Sequence, residues 1–307
     1  MNEDNILGAI FASAAGDALG AAYEGGILEK AAWKVLGTRH GKYRWTDDTQ
    51  MSIDIMESLM SCRAVSQDDI ARRFAASYDA TLGYGPGAAR ILKKIQSGTH
   101  WSEATRLVYP DGSFGNGAAM RVAPIGLYFH DEDPVVIARA AAKTAEITHV
   151  HPLGIEGAAL MAVAVAAAFR GASSLEIVDG LLLHLSQKEL KARVKVMAAW
   201  LHRDTPQQTQ QVQQALGNGV AAHMSAVTAV YCALAHRHLS FTELLLYIRN
   251  LGGDVDTIGA MAGAVWGAAA GKGSVPDEIT GSIDNFAHLA DVAQRFASMI
   301  CSKKITQ

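Results

Sequence analysis

The strongest constraint on the fold is that apolar residues recur at helical spacing, while patterns typical of β-strands are almost absent. Met51, Ile55 and Leu59 repeat at i, i+4 spacing and mark one face of a helix. No segment combines sustained apolar–polar alternation with β-branched residues. Alanine is very frequent in residues 138–169 and 258–270, and small side chains let helix axes approach closely. The sequence therefore predicts an all-α fold with its alanine-rich helices at the centre.

Start signals divide this pattern into separate helices. The pairs Ser66–Asp69 and Ser240–Glu243 resemble capping boxes and predict helix starts at residues 67 and 241. Five prolines lie where the first turn of a helix tolerates proline: Pro86, Pro134, Pro152, Pro206 and Pro276. Helices are predicted over residues 5–21, 48–61, 67–80, 116–129, 134–147, 152–170, 174–186, 188–203, 206–216, 223–237, 241–251, 255–270 and 286–301. No linker or change of composition interrupts them, so residues 1–307 are predicted to form a single domain.

Composition and charge exclude several classes of function. The 27 basic and 30 acidic residues give a net charge of −3, which argues against a nucleic-acid-binding protein with its basic patch. The three cysteines are far apart and form no C-x-x-C pair, as expected for reduced thiols in the cytoplasm. The charge-free apolar stretch over residues 157–169 is shorter than the ~20 residues that span a membrane. We therefore expect a cytoplasmic protein that binds neither nucleic acid nor membranes.

Two predicted helix starts carry more acidic residues than capping requires. One is Thr46-Asp47-Asp48-Thr49 and the other is Gly252-Gly253-Asp254-Val255-Asp256-Thr257. For either segment alone, N-capping stays a sufficient explanation. Glu24, just after the first predicted helix, adds a fifth carboxylate, and five converging carboxylates would not stay ionised without cations. All candidate ligands are oxygens, which favours Mg²⁺, Mn²⁺ or Ca²⁺ over Zn²⁺, and two divalent ions would neutralise most of this charge.

A glycine-rich segment over residues 111–117 precedes another predicted helix. Its glycines let a ligand approach the backbone, and a helix N-terminus offers free N–H groups to phosphate. Phe114, within this segment, is a candidate for stacking on a base. An ordinary glycine-rich turn explains the same residues equally well.

Five short motifs occur in order along the chain. They are Gly16-Asp17-Ala18-Leu19-Gly20 with Tyr23-Glu24, Thr46-Asp47-Asp48-Thr49, Gly115-Asn116-Gly117-Ala118-Ala119-Met120-Arg121, Thr148-His149-Val150-His151-Pro152, and Gly252-Gly253-Asp254-Val255-Asp256-Thr257. In this order they resemble the motifs of the ADP-ribosylglycohydrolase family. The resemblance implies a compact, single-domain orthogonal helix bundle, all-α in class, with a site for two Mg²⁺ or Mn²⁺ ions.

The resemblance also implies a role for each matching residue. The implied metal ligands are Thr46, Asp47, Asp48, Asp254, Asp256 and Thr257, with Asp256 bridging the two ions. Glu24 matches a mobile carboxylate of the active site, and Gly112, Ser113, Phe114, Gly115 and Asn116 match the loop that holds the diphosphate and adenosine. His149 matches a histidine that lines the ribose pocket.

The function implied is the hydrolysis of ADP-ribosylated protein by a metal-activated water that attacks C1″ of the distal ribose, with ADP-ribose as product. Glu24, Asp47 and Asp254 are the candidate general bases, and the sequence does not select among them. We favour arginine as the modified side chain. ADP-ribosyl-serine or a small ADP-ribose conjugate is the alternative substrate. A non-catalytic ADP-ribose-binding protein and a metal-dependent phosphohydrolase are the rival functions.

Overall fold

The computed structural model describes residues 2–24, 33, 35, 37–204 and 207–303. Within them the helices are α1 (Glu3–Gly20), α2 (Asp47–Cys62), α3 (Gln67–Ser77), α4 (Pro86–Gln96), α5 (Trp101–Val108), α6 (Ala123–Tyr128), α7 (Pro134–Ala145), α8 (Pro152–Phe169), α9 (Ser174–His184), α10 (Lys188–His202), α11 (Thr209–Ala215), α12 (Ala222–Ala235), α13 (Phe241–Leu251), α14 (Val255–Ala270), α15 (Asp277–Gly281) and α16 (Phe286–Lys303). Short 3₁₀ turns cover Ala21–Tyr23, Ala80–Leu82, Asn116–Ala118 and Lys272–Ser274. A single antiparallel hairpin pairs β1 (Thr38–Arg39) with β2 (Lys42–Tyr43). The predicted all-α class is confirmed.

Most predicted helices are present, with ends shifted by a few residues. Helices begin at Pro86, Pro134 and Pro152 as expected, and the full capping box at Ser240 is present. Pro276 instead immediately precedes α15 as its N-cap residue, and Pro206 lies outside the described residues. The helices α4, α5 and α15 are absent from the predicted ranges, although Pro86 and Pro276 marked helix starts for two of them.

The predicted helix over residues 116–129 is wrong, because two separate pieces occupy this stretch. The first is the 3₁₀ turn Asn116–Ala118 and the second is α6. Pro124 has no N–H to donate to a carbonyl four residues earlier, so it is tolerated only in the first turn of a new helix. Residues 112–115 form a loop that leads into the 3₁₀ turn.

The centre of the fold is a close antiparallel contact between α1 and α14. Gly8, Gly16 and Gly20 of α1 face Gly267, Gly259 and Asp256 of α14 in turn. A Cβ atom on Gly259 would lie 2.7 Å from the Gly16 carbonyl oxygen, so only hydrogen fits there. Because the two backbones touch along this line, the C-terminal end of α1 lies against the N-terminal end of α14.

Buried apolar side chains form one contiguous core around this pair and the apolar helix α8. Two stretches, Glu3–Tyr23 and Pro152–Phe169, are long and apolar enough to cross a membrane by length and composition. In the described structure, 78% and 72% of the most apolar 18-residue window of each stretch is buried. Core helices of water-soluble folds have the same character.

We predict that Gly259→Ala destabilises the protein, because the added Cβ meets the backbone of α1 and cannot be accommodated by a side-chain movement. The expected loss in the free energy of unfolding is about 1–3 kcal/mol, the range found for overpacked cores. Urea unfolding followed by circular dichroism measures it.

Gly180→Ala is the matched control for this substitution. Gly180 lies inside α9, and a Cβ atom there would meet nothing within 4 Å. This variant should gain about 0.5–1 kcal/mol from helix propensity. Equal stability of the two variants would contradict the contact between α1 and α14.

Candidate acidic active site

Three separate segments bring their carboxylates to one cavity of about 260 Å³. The cavity is lined by Glu24 after α1, by Asp47 and Asp48 at the start of α2, and by Asp254, Asp256 and Thr257 at the start of α14. Oxygen atoms of Glu24, Asp254 and Asp256 lie within 4.8 Å of one another. The structure thus assembles all five predicted carboxylates.

Capping of the helix ends does not account for these carboxylates. At α2 the cap is the hydroxyl oxygen of Thr46, which accepts a hydrogen bond from the Asp48 N–H at 3.3 Å. At α14 the N-cap residue is Asp254, but its side chain makes no capping hydrogen bond. Its Oδ2 instead accepts from the Asn116 side-chain amide at 2.5 Å. Thr46 is buried beside the cavity but does not line it, so its role as a metal ligand stays a prediction.

Asp17 is essential to this assembly, although the sequence analysis gave it no role in the site. It is completely buried in α1, and its carboxylate accepts from the backbone N–H groups of Thr46 and Thr49 and from the Thr49 hydroxyl at 2.5 Å. Burial raises its pKa to about 6, and these hydrogen bonds oppose the rise. Asp17 therefore attaches the start of α2 to α1. The signal in the sequence was an acidic residue within the otherwise uncharged stretch over residues 6–20 of α1.

The assembled carboxylates are electrostatically unfavourable without a counter-charge. Burial, with the charges of Asp17 and other carboxylates, raises the pKa of Asp47 to about 8 and that of Asp48 well above its usual range. The pKa of Asp256 is raised in the same way, chiefly by burial and by the charge of Glu24. Asp48 Oδ2 is also buried without a hydrogen-bond partner among the described residues. A set of hard oxygen donors with an unpartnered buried oxygen fits a divalent cation.

The glycine-rich loop forms a second wall of the same cavity. Of the five residues assigned to it by resemblance, Ser113, Gly115 and Asn116 line the cavity, whereas Gly112 and Phe114 do not. The Asn116 amide also donates to Ser225 Oγ at 3.0 Å, so one side chain fixes both the loop and Asp254. Two backbone hydrogen bonds, at 2.9 Å each, hold the loop against residues 220–222.

Phe114 lies at the edge of this loop. Its ring is 52% exposed and packs edge-on against His151, with the ring centroids 5.6 Å apart. The main chain around it is fixed, because the Phe114 carbonyl accepts from Ala222 N–H. A half-exposed ring on a fixed backbone leaves a face available to a ligand outside the cavity.

His149 also lines the cavity, as the resemblance implied. Burial, together with the charge of Arg121, lowers its pKa to about 3, so the imidazole is neutral. Arg121 lines the same cavity from the core. Residues 83 and 85–88, to which the sequence analysis assigned no role in the site, also line it. Arg121 is the last residue of the motif that begins at Gly115. Only the packing shows that this cation is buried beside the site.

The fold agrees with comparisons to known proteins. The sequence profile of the ADP-ribosylglycohydrolase family matches residues 1–305. The mouse protein ADP-ribosylhydrolase ARH3 is 34% identical over 283 residues, covering 81% of this chain and 76% of the mouse protein. Human ADP-ribosylhydrolase ARH3 is 32% identical, covering 81% and 77%. A solved structure described as an ADP-ribosylglycohydrolase-related protein complex superimposes with a TM-score of 0.73 at 23% identity, covering 97% of this chain and 98% of that one.

The chain therefore belongs to the ADP-ribosylglycohydrolase family. The family predicted from the five motifs is confirmed, and so are the helical fold class and the prediction of a glycosyl hydrolase enzyme. The roles of individual residues stay predictions.

We predict that the metal-free protein loses stability as the pH rises. Folded Asp47 has a pKa of about 8 against 3.8 for its usual value, so it binds its proton more tightly in the folded state. The stability it contributes is complete below about pH 4 and is lost as the pH rises through about 8. Thermal unfolding in EDTA should show Tm falling over this range. Mg²⁺ at pH 8 should restore about 2.7 kcal/mol at a concentration a hundredfold above Kd.

Substitution of one carboxylate should separate repulsion from metal binding. Asp48→Asn should abolish the increase in Tm caused by Mg²⁺, because a neutral amide replaces a carboxylate that can ionise when a cation binds. It should also make the Tm in EDTA less dependent on pH, because a group with a raised pKa is removed. Asp54→Asn is the control, since Asp54 is buried in the same helix, bonds to Ser77 and does not line the cavity. It should retain the full response to Mg²⁺. A normal Mg²⁺ response in Asp48→Asn would contradict the proposed ligand set.

Proposed function

We propose that this protein hydrolyses the glycosidic bond between ADP-ribose and a modified side chain and releases ADP-ribose. The observation that carries the proposal is the meeting, in one cavity, of five carboxylates with a glycine-rich loop and the His149 imidazole. Such a cavity offers cation-binding carboxylate oxygens on one side, and the Ser113 hydroxyl and the His149 imidazole on the other. ADP-ribose needs both, since its distal ribose carries the reacting carbon and its diphosphate is anionic.

The metal ligands in this proposal are Asp47, Asp48, Asp254, Asp256 and Thr257, with Thr46 beside them. Two Mg²⁺ or Mn²⁺ ions held there would orient the ribose hydroxyls and lower the pKa of a bound water, so that a nucleophile forms near neutral pH. The ligand set supports hard cations because it contains oxygen atoms alone.

Within the chain, Asn116 and Asp17 hold the reacting groups in place. Asn116 fixes the orientation of Asp254, and Asp17 fixes the start of α2 that carries Asp47 and Asp48. Glu24 is half-buried, whereas the four aspartates of the cluster are buried. We therefore assign to Glu24 the role of accepting the proton from the attacking water, because it can pass that proton to solvent.

The acceptor side chain is the least constrained part of the proposal. The acidic cavity supports arginine, whose guanidinium would leave from a negatively charged site. However, among the described residues that line the cavity, every carboxylate belongs to the cluster itself, and bound cations would offset its charge. Serine-linked ADP-ribose is therefore the second substrate to test.

The deciding experiment compares proteins mono-ADP-ribosylated on arginine or on serine, with mass spectrometry of the released product. We expect free ADP-ribose as the product, and we expect the arginine conjugate to be the preferred substrate. Release from the serine conjugate alone would change the proposed acceptor from arginine to serine and leave the proposed reaction unchanged. AMP as product would indicate a phosphohydrolase, and ADP-ribose binding without turnover would indicate a binding protein.

Asp256→Ala should lower kcat by at least a hundredfold, because the Asp256 carboxylate lies within 4.8 Å of those of Glu24 and Asp254 and is one of the proposed metal ligands. The effect expected is of the order reported for removal of one group that stabilises a transition state, about 10²–10³. Asp54→Asn should keep normal turnover. Turnover of Asp256→Ala close to that of the unmodified protein would exclude the metal-assisted mechanism.

Phe114→Ala should weaken ADP-ribose binding by about 1–3 kcal/mol if the exposed ring stacks on the adenine. Calorimetric titration of ADP-ribose measures the change, and Phe114→Tyr should restore affinity because it retains the aromatic face. The Tm increase caused by Mg²⁺ should stay the same in both variants. Unchanged affinity in Phe114→Ala would place the adenosine elsewhere.

A further inference from the structure

Arg121 is the largest completely buried side chain among the described residues, and it lies beneath the candidate active site. Its Nη2 donates to Thr148 Oγ1 at 2.8 Å and to the Thr144 carbonyl at 3.2 Å. Its guanidinium carbon lies 4.6 Å from the centre of the Phe74 ring. Burial lowers its pKa to about 10, so it still carries its charge at neutral pH. A cation kept in the core at this position calls for a function beyond packing.

The contact with Arg121 determines what the Thr148 hydroxyl can do. A guanidinium only donates hydrogen bonds, so Thr148 Oγ1 must accept from Arg121. Thr148 is completely buried, and its other hydrogen-bond partner in the described structure is His149 Nδ1 at 2.7 Å. The hydroxyl proton therefore points to His149 Nδ1. If Nδ1 carried a proton, the buried hydroxyl would have no acceptor, which costs about 1–3 kcal/mol.

The state of His149 follows from this arrangement. The imidazole is neutral, and its Nδ1 accepts a hydrogen bond, so its one proton is on Nε2. The Nε2 edge lies beside the glycine-rich loop, where a Cβ atom on Gly117 would come within 3.2 Å of it and one on Gly115 within 3.5 Å. Nε2 has no hydrogen-bond partner among the described residues, and His149 lines the cavity.

We propose that Arg121 is a positioning residue that acts through Thr148 to hold His149 in the Nε2–H tautomer. His149 then presents a hydrogen-bond donor to an oxygen of the bound ligand and has no free lone pair with which to act as a general base. The identity of the ligand, an oxygen of ADP-ribose, rests on the proposed function. The tautomer does not, because it follows from contacts within the protein.

The tautomer can be observed directly in protein labelled with ¹⁵N-histidine. Long-range ¹H–¹⁵N correlation spectra distinguish the two tautomers, and the His149 signals are identified by their loss in His149→Gln. We expect the Nε2–H form alone in the unmodified protein and in Thr148→Ser, which keeps the hydroxyl. Thr148→Val has nearly the same shape but no hydroxyl, and should show a mixture of both tautomers.

Arg121→Gln tests the first hydrogen bond of the chain from Arg121 through Thr148 to His149, which we call the relay. An amide accepts as well as donates, so the Thr148 proton is no longer forced toward His149, and a folded variant should also show a mixture. If this variant retains the pure Nε2–H form, Arg121 is not the positioning residue. Should Arg121→Gln not fold, Thr148→Val still decides the relay. An Nδ1–H form in the unmodified protein, or a spectrum of Thr148→Val identical to it, would overturn the proposal.

Calorimetric titration of ADP-ribose connects the tautomer to binding. Thr148→Val should bind roughly tenfold more weakly, and Thr148→Ser with unchanged affinity, because only the first loses the oriented donor. Equal affinity for ADP-ribose in the two variants would contradict the role of His149 as a hydrogen-bond donor to the ligand. If the unmodified protein binds no ADP-ribose but shows the Nε2–H form alone, the proposed function fails while the relay stands.

Discussion

The close contact between α1 and α14 is the constraint on which the site depends. The glycines of both helices let the two backbones touch, and the antiparallel arrangement brings Gly20 against the start of α14. Glu24 thereby meets Asp254 and Asp256. From the same helix, Asp17 reaches the N–H groups at the start of α2 and sets the position of its acidic first turn. Wider helix spacing would separate these groups, because a carboxylate side chain spans only a few ångströms.

This arrangement gathers like charges where water cannot screen them. Burial and mutual repulsion raise the pKa of Asp47, Asp48 and Asp256. The helix packing and the hydrogen bonds of Asp17 and Asn116 hold the carboxylates together against that repulsion. Functional sites often carry such unfavourable charge, and the surrounding fold stabilises it. In the proposed function, divalent cations supply the opposite charge.

The second wall of the cavity has the opposite chemical character. The glycine-rich loop is fixed by hydrogen bonds to residues 220–222, and Asn116 joins it to Asp254. His149 adds a neutral imidazole, which Thr148 and Arg121 orient from the core. Carboxylates on one side and the loop with a neutral imidazole on the other give the cavity a direction. Under the proposed function, this direction orients the ligand with its reacting end at the carboxylates.

The sequence by itself determined the fold class, most of the helices and the acidic residues of the site, because periodicity, capping and motif order are local properties. It could not show that Pro124 begins a new helix and that Phe114 lies outside the cavity, or that Thr46 acts as the cap of α2. Only the tertiary structure revealed Asp17 as an anchor and Arg121 as a buried cation. Desolvation and hydrogen-bond partners decide such roles, and both depend on which segments, distant in the chain, pack together.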